Sequence, residues 1–311
     1  MKGWRVLKIT LIGILVIANV FMLGFLYSVF RPMERLPEDA IRQMRELFRR
    51  DGIYIPQGVV DAKKVNPVIY EGDKGTDYYT RVAEELSGSE VSRTFDAPNG
   101  MVVSLKNGDR CTFSDGFGLR YMASDAPEHY TLNTLDGDTL TSVEPSLADS
   151  MQKMIADFVG RASLTGERGS EPSKSYTVIA CGKDSKTDIG YVICQQWMEG
   201  YPLADFRTVF AVYGGEIIGM SGSWCFASRV ATYSAQLMDQ INILYSVRAR
   251  ILEERGDSGS DRVEIVSMEL GYAVYFRDDT ENFYLIPAWN VGTDTGEIYC
   301  INAVDGTLYT K

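Results

Sequence analysis

Three stretches of the chain repeat apolar residues at helical spacing, and each precedes a block of alternating or β-rich residues. In the first, Ile41, Met44, Leu47 and Phe48 share one face after Pro37, and Gly52 suits the C-terminal cap. The second follows Pro145 and carries Leu147, Met151, Met154, Ile155 and Phe158 as a stripe. The third presents Leu237, Ile241, Leu244 and Ile251, with Ser234 as the expected N-terminal cap. Glycine turns join the intervening runs: "MVVSLKNGDRCTF" reverses at Asn107-Gly108, "TVFAVYGGEIIGM" at Gly214-Gly215 and "IYCINAVDGTLYT" at Asp305-Gly306. A helical stripe needs an apolar surface to cover it, and an antiparallel sheet built from the following strands offers one. The pattern predicts an α+β fold of tandem helix-on-antiparallel-sheet units spanning 31–142, 143–228 and 229–311. The polar, glycine-rich runs "GERGSEPSK" and "GDSGSD" read as connections.

The N-terminus breaks this pattern. Ile9 to Phe30 contains no charged side chain, and its 22 residues reach roughly 33 Å as a helix, enough to cross a bilayer core. A cleaved leader would have a shorter apolar run followed by small residues, where this chain has Phe25, Leu26, Tyr27 and Val29. Lysine and arginine flank both ends, so their count does not set the orientation. A short tail before a large domain is the usual form of a signal anchor. Residues 1–8 are therefore expected in the cytoplasm, 9–30 in the cell membrane as a single pass, and 31–311 outside it.

Charge and cysteines narrow the function classes. A formal net charge of -11 opposes nucleic-acid binding, which needs a basic surface. Five cysteines leave at least one unpaired; Cys181 and Cys194 can face one another across a hairpin closed near "DSKTD", although spacing alone does not decide it. Without a Cys-x-x-Cys or Cys/His cluster, buried inert thiols are the favoured reading, and no metal or cofactor is expected.

One stretch spells a protease. "GDSGS" surrounds Ser258, and the single histidine, His129, precedes it as a trypsin-like order requires. A nucleophilic serine needs a base in reach and a rigid oxyanion turn. Gly256 instead follows the helical run "RARILEER" and reads as its cap, with a loop beyond it. "GMSGS" at 219–223 lacks the last glycine of a nucleophile elbow and lies within a strand pattern. The pairs Asp136/Asp138 and Asp278/Asp279 read as solvated loop carboxylates, and no Walker or Rossmann pattern occurs, so no enzyme is expected.

The C-terminal run contains Leu270-Gly271-Tyr272, then Pro287-Ala288-Trp289, then Asn302-Ala303-Val304-Asp305-Gly306. This ordered set resembles the end of the YycH/YycI family, closest to its YycI branch, and a PepSY-type unit in which "PAW" opens a strand and "NAxDG" closes a hairpin. The apolar run with "LFRRDGIYIP", and "GYPLADFRTVFAVYGGEIIGMSGSW", are also similar to that family. The resemblance implies a single-pass regulator of a WalK-type sensor histidine kinase, acting with a YycH-type sister protein partly through membrane helices. In their own chemistry, Trp289 supplies core surface and Asp305-Gly306 a tight turn. Asn19 lies near the middle of the apolar run, with Gly13 and Gly24 along it, and an amide there gains about 0.6 to 2 kcal/mol from an interhelical hydrogen bond. These three residues are the candidate partner contact, the alternative being a single asparagine simply tolerated in an otherwise very apolar helix. The competing expectation is an extracytoplasmic PepSY-like binding or peptidase-inhibitory module.

Overall fold

A computed structural model describes residues 38–60, 67–74, 77–98, 100–114, 116–128, 130, 141–142, 145–161, 176–184, 187–198, 200–226, 228–256, 262–276 and 282–309. The apolar run Ile9 to Phe30 lies outside them, as do His129 and Ser258. Among the described residues no helix is long and apolar enough to cross a membrane. The described chain is mixed α+β: four helices on a large, mostly antiparallel strand network.

In chain order the elements are α1 (Glu38–Arg50), β1 (Ile53–Tyr54), β2 (Val68–Asp73), α2 (Tyr78–Ser87), β3 (Val91–Ala97), β4 (Gly100–Leu105), β5 (Arg110–Ser114) and β6 (Gly118–Met122). Then come β7 (Thr141–Ser142), α3 (Pro145–Arg161), β8 (Tyr176–Lys183), β9 (Gly190–Met198), β10 (Tyr201–Tyr213) and β11 (Glu216–Ser223). The last are β12 (Ser228–Ser234), α4 (Gln240–Arg255), β13 (Val263–Phe276), β14 (Asn282–Thr293) and β15 (Ile298–Asn302).

The network has two arms. Nine antiparallel strands follow the order β3-β4-β5-β6-β11-β10-β9-β8-β7, and six more group as β12-β2-β14-β13 with β15 on β14 and β1 on β13. The arms meet where β10 and β13 run parallel, with Leu203 opposite Tyr272. Glycine permits that joint: a Cβ on Gly271 would come within 2.5 Å of the Pro202 carbonyl oxygen. Around the joint β10 loses register with β9 between Pro202 and Arg207, and Asp205 takes a left-handed φ of 62°. The Gln195 amide donates to the Leu203 and Phe206 carbonyls, serving backbone acceptors that the irregular stretch removes from the ladder.

Each arm carries a core, and that of the nine-strand arm crosses the joint to take in Tyr70, Tyr272, Phe283 and Leu285. Val82, Ala83 and Leu86 of α2, with Met151, Ile155, Phe158 and Val159 of α3, cover the nine-strand arm over Val103, Phe113, Tyr121, Phe210 and Met220. Met44 and Phe48 of α1, with Ile243, Leu244, Val247 and Ile251 of α4, cover the six-strand arm over Ile265, Trp289, Val291, Tyr299 and Ile301. Helix α1 thus lies on C-terminal strands rather than on the strands that follow it, and β2 inserts between β12 and β14.

The predicted turns at Asn107-Gly108 and Gly214-Gly215 close strand pairs, as does the hairpin at 184–189, and the turn at Asp305-Gly306 folds the chain back on β15 through a bridge between Ile301 and Leu308. Three local expectations are corrected. Helix α4 is capped by Asp239, whose carboxylate accepts from Asn242 N–H at 2.8 Å, because Ser234 is still paired in β12 opposite Val68. Leu237 accordingly precedes the helix. A fourth helix, α2, was not anticipated, although Val82, Ala83 and Leu86 with Gly88 at φ 69° form a short stripe and cap.

The third correction concerns Pro287-Ala288-Trp289, which sits inside β14 rather than opening it. Proline lacks the N–H that an interior strand must donate. Its position resolves this: β2 pairs β14 over Asn282 to Leu285, β15 takes over from Ala288, and Pro287 falls at the changeover. The Pro287 carbonyl still accepts from Ala303 N–H at 2.8 Å.

Candidate functional site

The residues singled out at the C-terminus converge on one hairpin. Ala288 and Trp289 lie opposite Asn302 and Ile301, and both alanines, Ala288 and Ala303, are fully buried. The Asn302 side chain accepts from Val304 N–H at 2.8 Å, while its backbone oxygen accepts from Gly306 N–H at 2.9 Å. Asp305 accepts from Thr307 N–H and its hydroxyl, and Gly306 supplies a φ of 76°. The side-chain oxygens of Asn302 and Asp305 are thereby engaged in the turn, while the buried Trp289 indole N–H has no hydrogen-bond partner among the described residues, and Met238 N–H donates to Ala303 O to fix the entry of α4. These residues build the fold. Asn19, Gly13 and Gly24 lie outside the described residues.

Beside this hairpin, the end of α1 is clasped to α4 and β13. Arg248 donates to the Asp51 carboxylate at 2.6 Å, with only about a quarter of each side chain exposed, and Arg255 donates to the Asp51 backbone oxygen at 2.9 Å. Gly52 turns the chain with φ 73°, its carbonyl accepts from Val263 N–H at 3.1 Å, and Ile53 pairs in parallel with Val263. The Phe48 and Tyr245 rings lie 5.8 Å apart. Partial burial and two geometrically distinct arginine bonds make this stronger than an exposed ion pair such as Asp39–Arg42.

The most chemically suggestive cleft lies on the nine-strand arm, between α2, α3 and the β10–β11 turn. Asp109 is at its base, 5% exposed. Its carboxylate accepts from Ser124 N–H, Ser87 hydroxyl, Tyr121 hydroxyl and Asn107 amide, all at 2.8 to 2.9 Å. Burial alone raises the carboxyl pKa, but the four donors outweigh it and hold the value below the ordinary carboxylate range. Such a group stays ionised and has its lone pairs engaged, which suits a structural tie between helix, hairpin and loop rather than a general base. In turn, burial and the Asp109 charge push the Tyr121 phenol well above its ordinary value.

None of the five cysteines forms a disulfide. Cys181 pairs with Val192 and Cys194 with Val178, so the strand register sets the two thiols out of opposition. Burial pushes Cys111 and Cys194 up to about 12, so both stay protonated and unreactive at neutral pH. Among the described residues no group of three or more His, Cys, Asp or Glu is placed to hold a metal ion.

No family model and no curated protein matches this chain. Among solved structures, an uncharacterized protein from Eubacterium rectale is similar at 13% identity, over 84% of this chain and 91% of that one, with a TM-score of 0.48.

Proposed function

We propose that this chain is a membrane-anchored regulatory accessory protein of a cell-envelope two-component system, modulating a WalK-type sensor kinase through transmembrane and extracytoplasmic contacts beside a YycH-type partner. The observation that carries the reading is the uncharged run Ile9 to Phe30 with Asn19 near its middle, placed a few residues before a large folded region. The C-terminal motif set and the family resemblance supply the partner class. Two features of the described residues favour regulation over catalysis: the best-placed carboxylate, Asp109, is saturated by structural donors, and the buried thiols are held protonated.

Within this reading the units 31–142, 143–228 and 229–311 are tandem PepSY/YycI-like modules, the first lending α1 and β2 to the sheet of the third. The test is gentle detergent co-purification of the full chain from its native membrane, with Asn19→Leu in parallel. A sensor kinase recovered with wild type and lost with the variant supports the accessory role and its membrane contact. Recovery of a peptidase or wall polymer without a kinase moves the conclusion to an extracytoplasmic binding or inhibitory module.

A further inference from the structure

We infer that α1 is a transmission element: its clasp to α4 and β13 delivers displacement of the membrane-side chain to the C-terminal sheet, bypassing the strands that follow α1 in sequence. The inference rests on the membrane-anchored reading above. Seven residues separate Phe30 from Glu38, and a chain of that length reaches at most roughly 28 Å, so α1 begins near the bilayer surface.

Three kinds of contact bind α1 to sequence more than 190 positions away. Met44 and Phe48 are fully buried against α4 and the β13–β15 strands. Asp51 is held by Arg248 through its carboxylate, across 197 positions, and by Arg255 through its carbonyl, across 204. Ile53 and Tyr54 then extend the β13 ladder. A helix fixed by core packing, partly buried charge and backbone pairing moves with the body it is fixed to. That body contains Trp289, Ile301 and Ala303, whereas the described strands of the nine-strand arm join it in one backbone pairing, Leu203 with Tyr272, with side chains including Tyr70, Leu285 and Lys74 completing the seam. A shift at α1 therefore reaches α4 and β15 first.

The test uses the full chain in nanodiscs and compares wild type, Asp51→Asn and the charge reversal Asp51→Arg with Arg248→Asp. Asp51→Asn keeps shape and packing but removes the ionic half of the clasp. Amides of α1 and α4 are expected to exchange roughly tenfold faster in Asp51→Asn, with β4 to β6 unchanged. The co-purified kinase is expected to be retained, with autophosphorylation altered about twofold or more, and the reversal to restore both readouts. Unchanged α1 exchange would overturn the clasp. Faster exchange with unaltered kinase activity would overturn transmission. Failure of wild type to recover any kinase defeats the accessory reading instead, and the exchange data still decide whether the clasp holds α1.

Discussion

The two cores of this molecule are made of different materials. The nine-strand arm is aromatic: Tyr78, Tyr79, Phe113, Phe117, Phe206, Phe210, Trp224 and Phe226 make ring contacts at separations of 4.8 to 6.4 Å, and Tyr70, Tyr272 and Phe283 extend them into the other arm. The six-strand arm is mostly aliphatic, with Ile53, Ile243, Leu244, Val247, Ile251, Ile265, Val291 and Ile301 under its helices. Aromatic edge-to-face contacts add geometric preference to buried area, whereas aliphatic cores depend on area and fit. Much of the first core joins consecutive elements, while the second brings the start of the described chain onto its end. The aliphatic core should therefore be the more sensitive to loss of one side chain, because among the described residues the only sequence-local cover of α1 is the short stretch to Val60 and the rest of its packing comes from α4 and the C-terminal strands.

Phe48→Ala tests that contrast most severely. Phe48 is 0% exposed and bridges α1 to α4, so its truncation is expected to cost about 3 to 5 kcal/mol and to loosen α1 from the six-strand arm. Denaturant unfolding should reveal the loss, while exchange protection in β4 to β6 stays near wild type. An equal loss of protection in both arms would show that the cores unfold as one unit.

In the aromatic arm, Asp109 is the polar counterpart of Phe48. Replacing it with alanine leaves the Ser87 and Tyr121 hydroxyls and the Ser124 N–H without this acceptor, at an expected cost of about 2 to 4 kcal/mol at pH 7. Its folded pKa is depressed below the unfolded value near 3.9, so the ionised group stabilises the fold above that value. The contribution falls away as pH drops through the folded pKa. Unfolding curves of wild type and variant should accordingly converge in acid, and a constant gap from pH 7 to strongly acidic pH would remove the carboxylate as the cause.

The joint between the arms is next. Gly271→Ala sets a methyl 2.5 Å from the Pro202 oxygen, a backbone atom that moves only if β10 separates from β13. An expected loss of about 1 to 3 kcal/mol, with altered near-ultraviolet dichroism from Tyr201 and Tyr272, follows from that overpacking. A variant as stable as wild type would mean the arms already sit apart enough to admit a Cβ.

Sequence patterns were most legible where structure is local. Asn107-Gly108, Gly214-Gly215 and Asp305-Gly306 carry their turns in their own backbone preferences, and the Met151, Ile155 and Phe158 stripe marks its helix face. What escaped is long-range: Tyr284 donates to Glu71 across 213 positions because β2 lies on β14, and no periodicity in either segment names the other. The Asp109 network was hidden for a related reason. "NGD" reads as a solvated turn, and only the arrival of Ser87 from α2 and of Tyr121 and Ser124 from the end of β6 buries its acid.

The smallest expected effect falls on the seam itself. The Lys74 ammonium lies 4.5 Å from the Phe117 ring centre and 4.7 Å from that of Phe276, with Tyr78 and Tyr79 slightly farther, and it donates to the Gly116 carbonyl. It leaves β2 of the six-strand arm and enters rings from α2 and the β5–β6 turn of the other, so the cation joins both cores. Lys74→Met keeps the apolar stem but removes the charge and the donor, with an expected loss of about 1 kcal/mol. Lys74→Arg should retain most of the stability, since a guanidinium also favours aromatic faces. If methionine stabilises the protein, the aromatic stack alone closes the seam and the lysine is an internal cost; if only arginine rescues, charge is what aligns the two materials there.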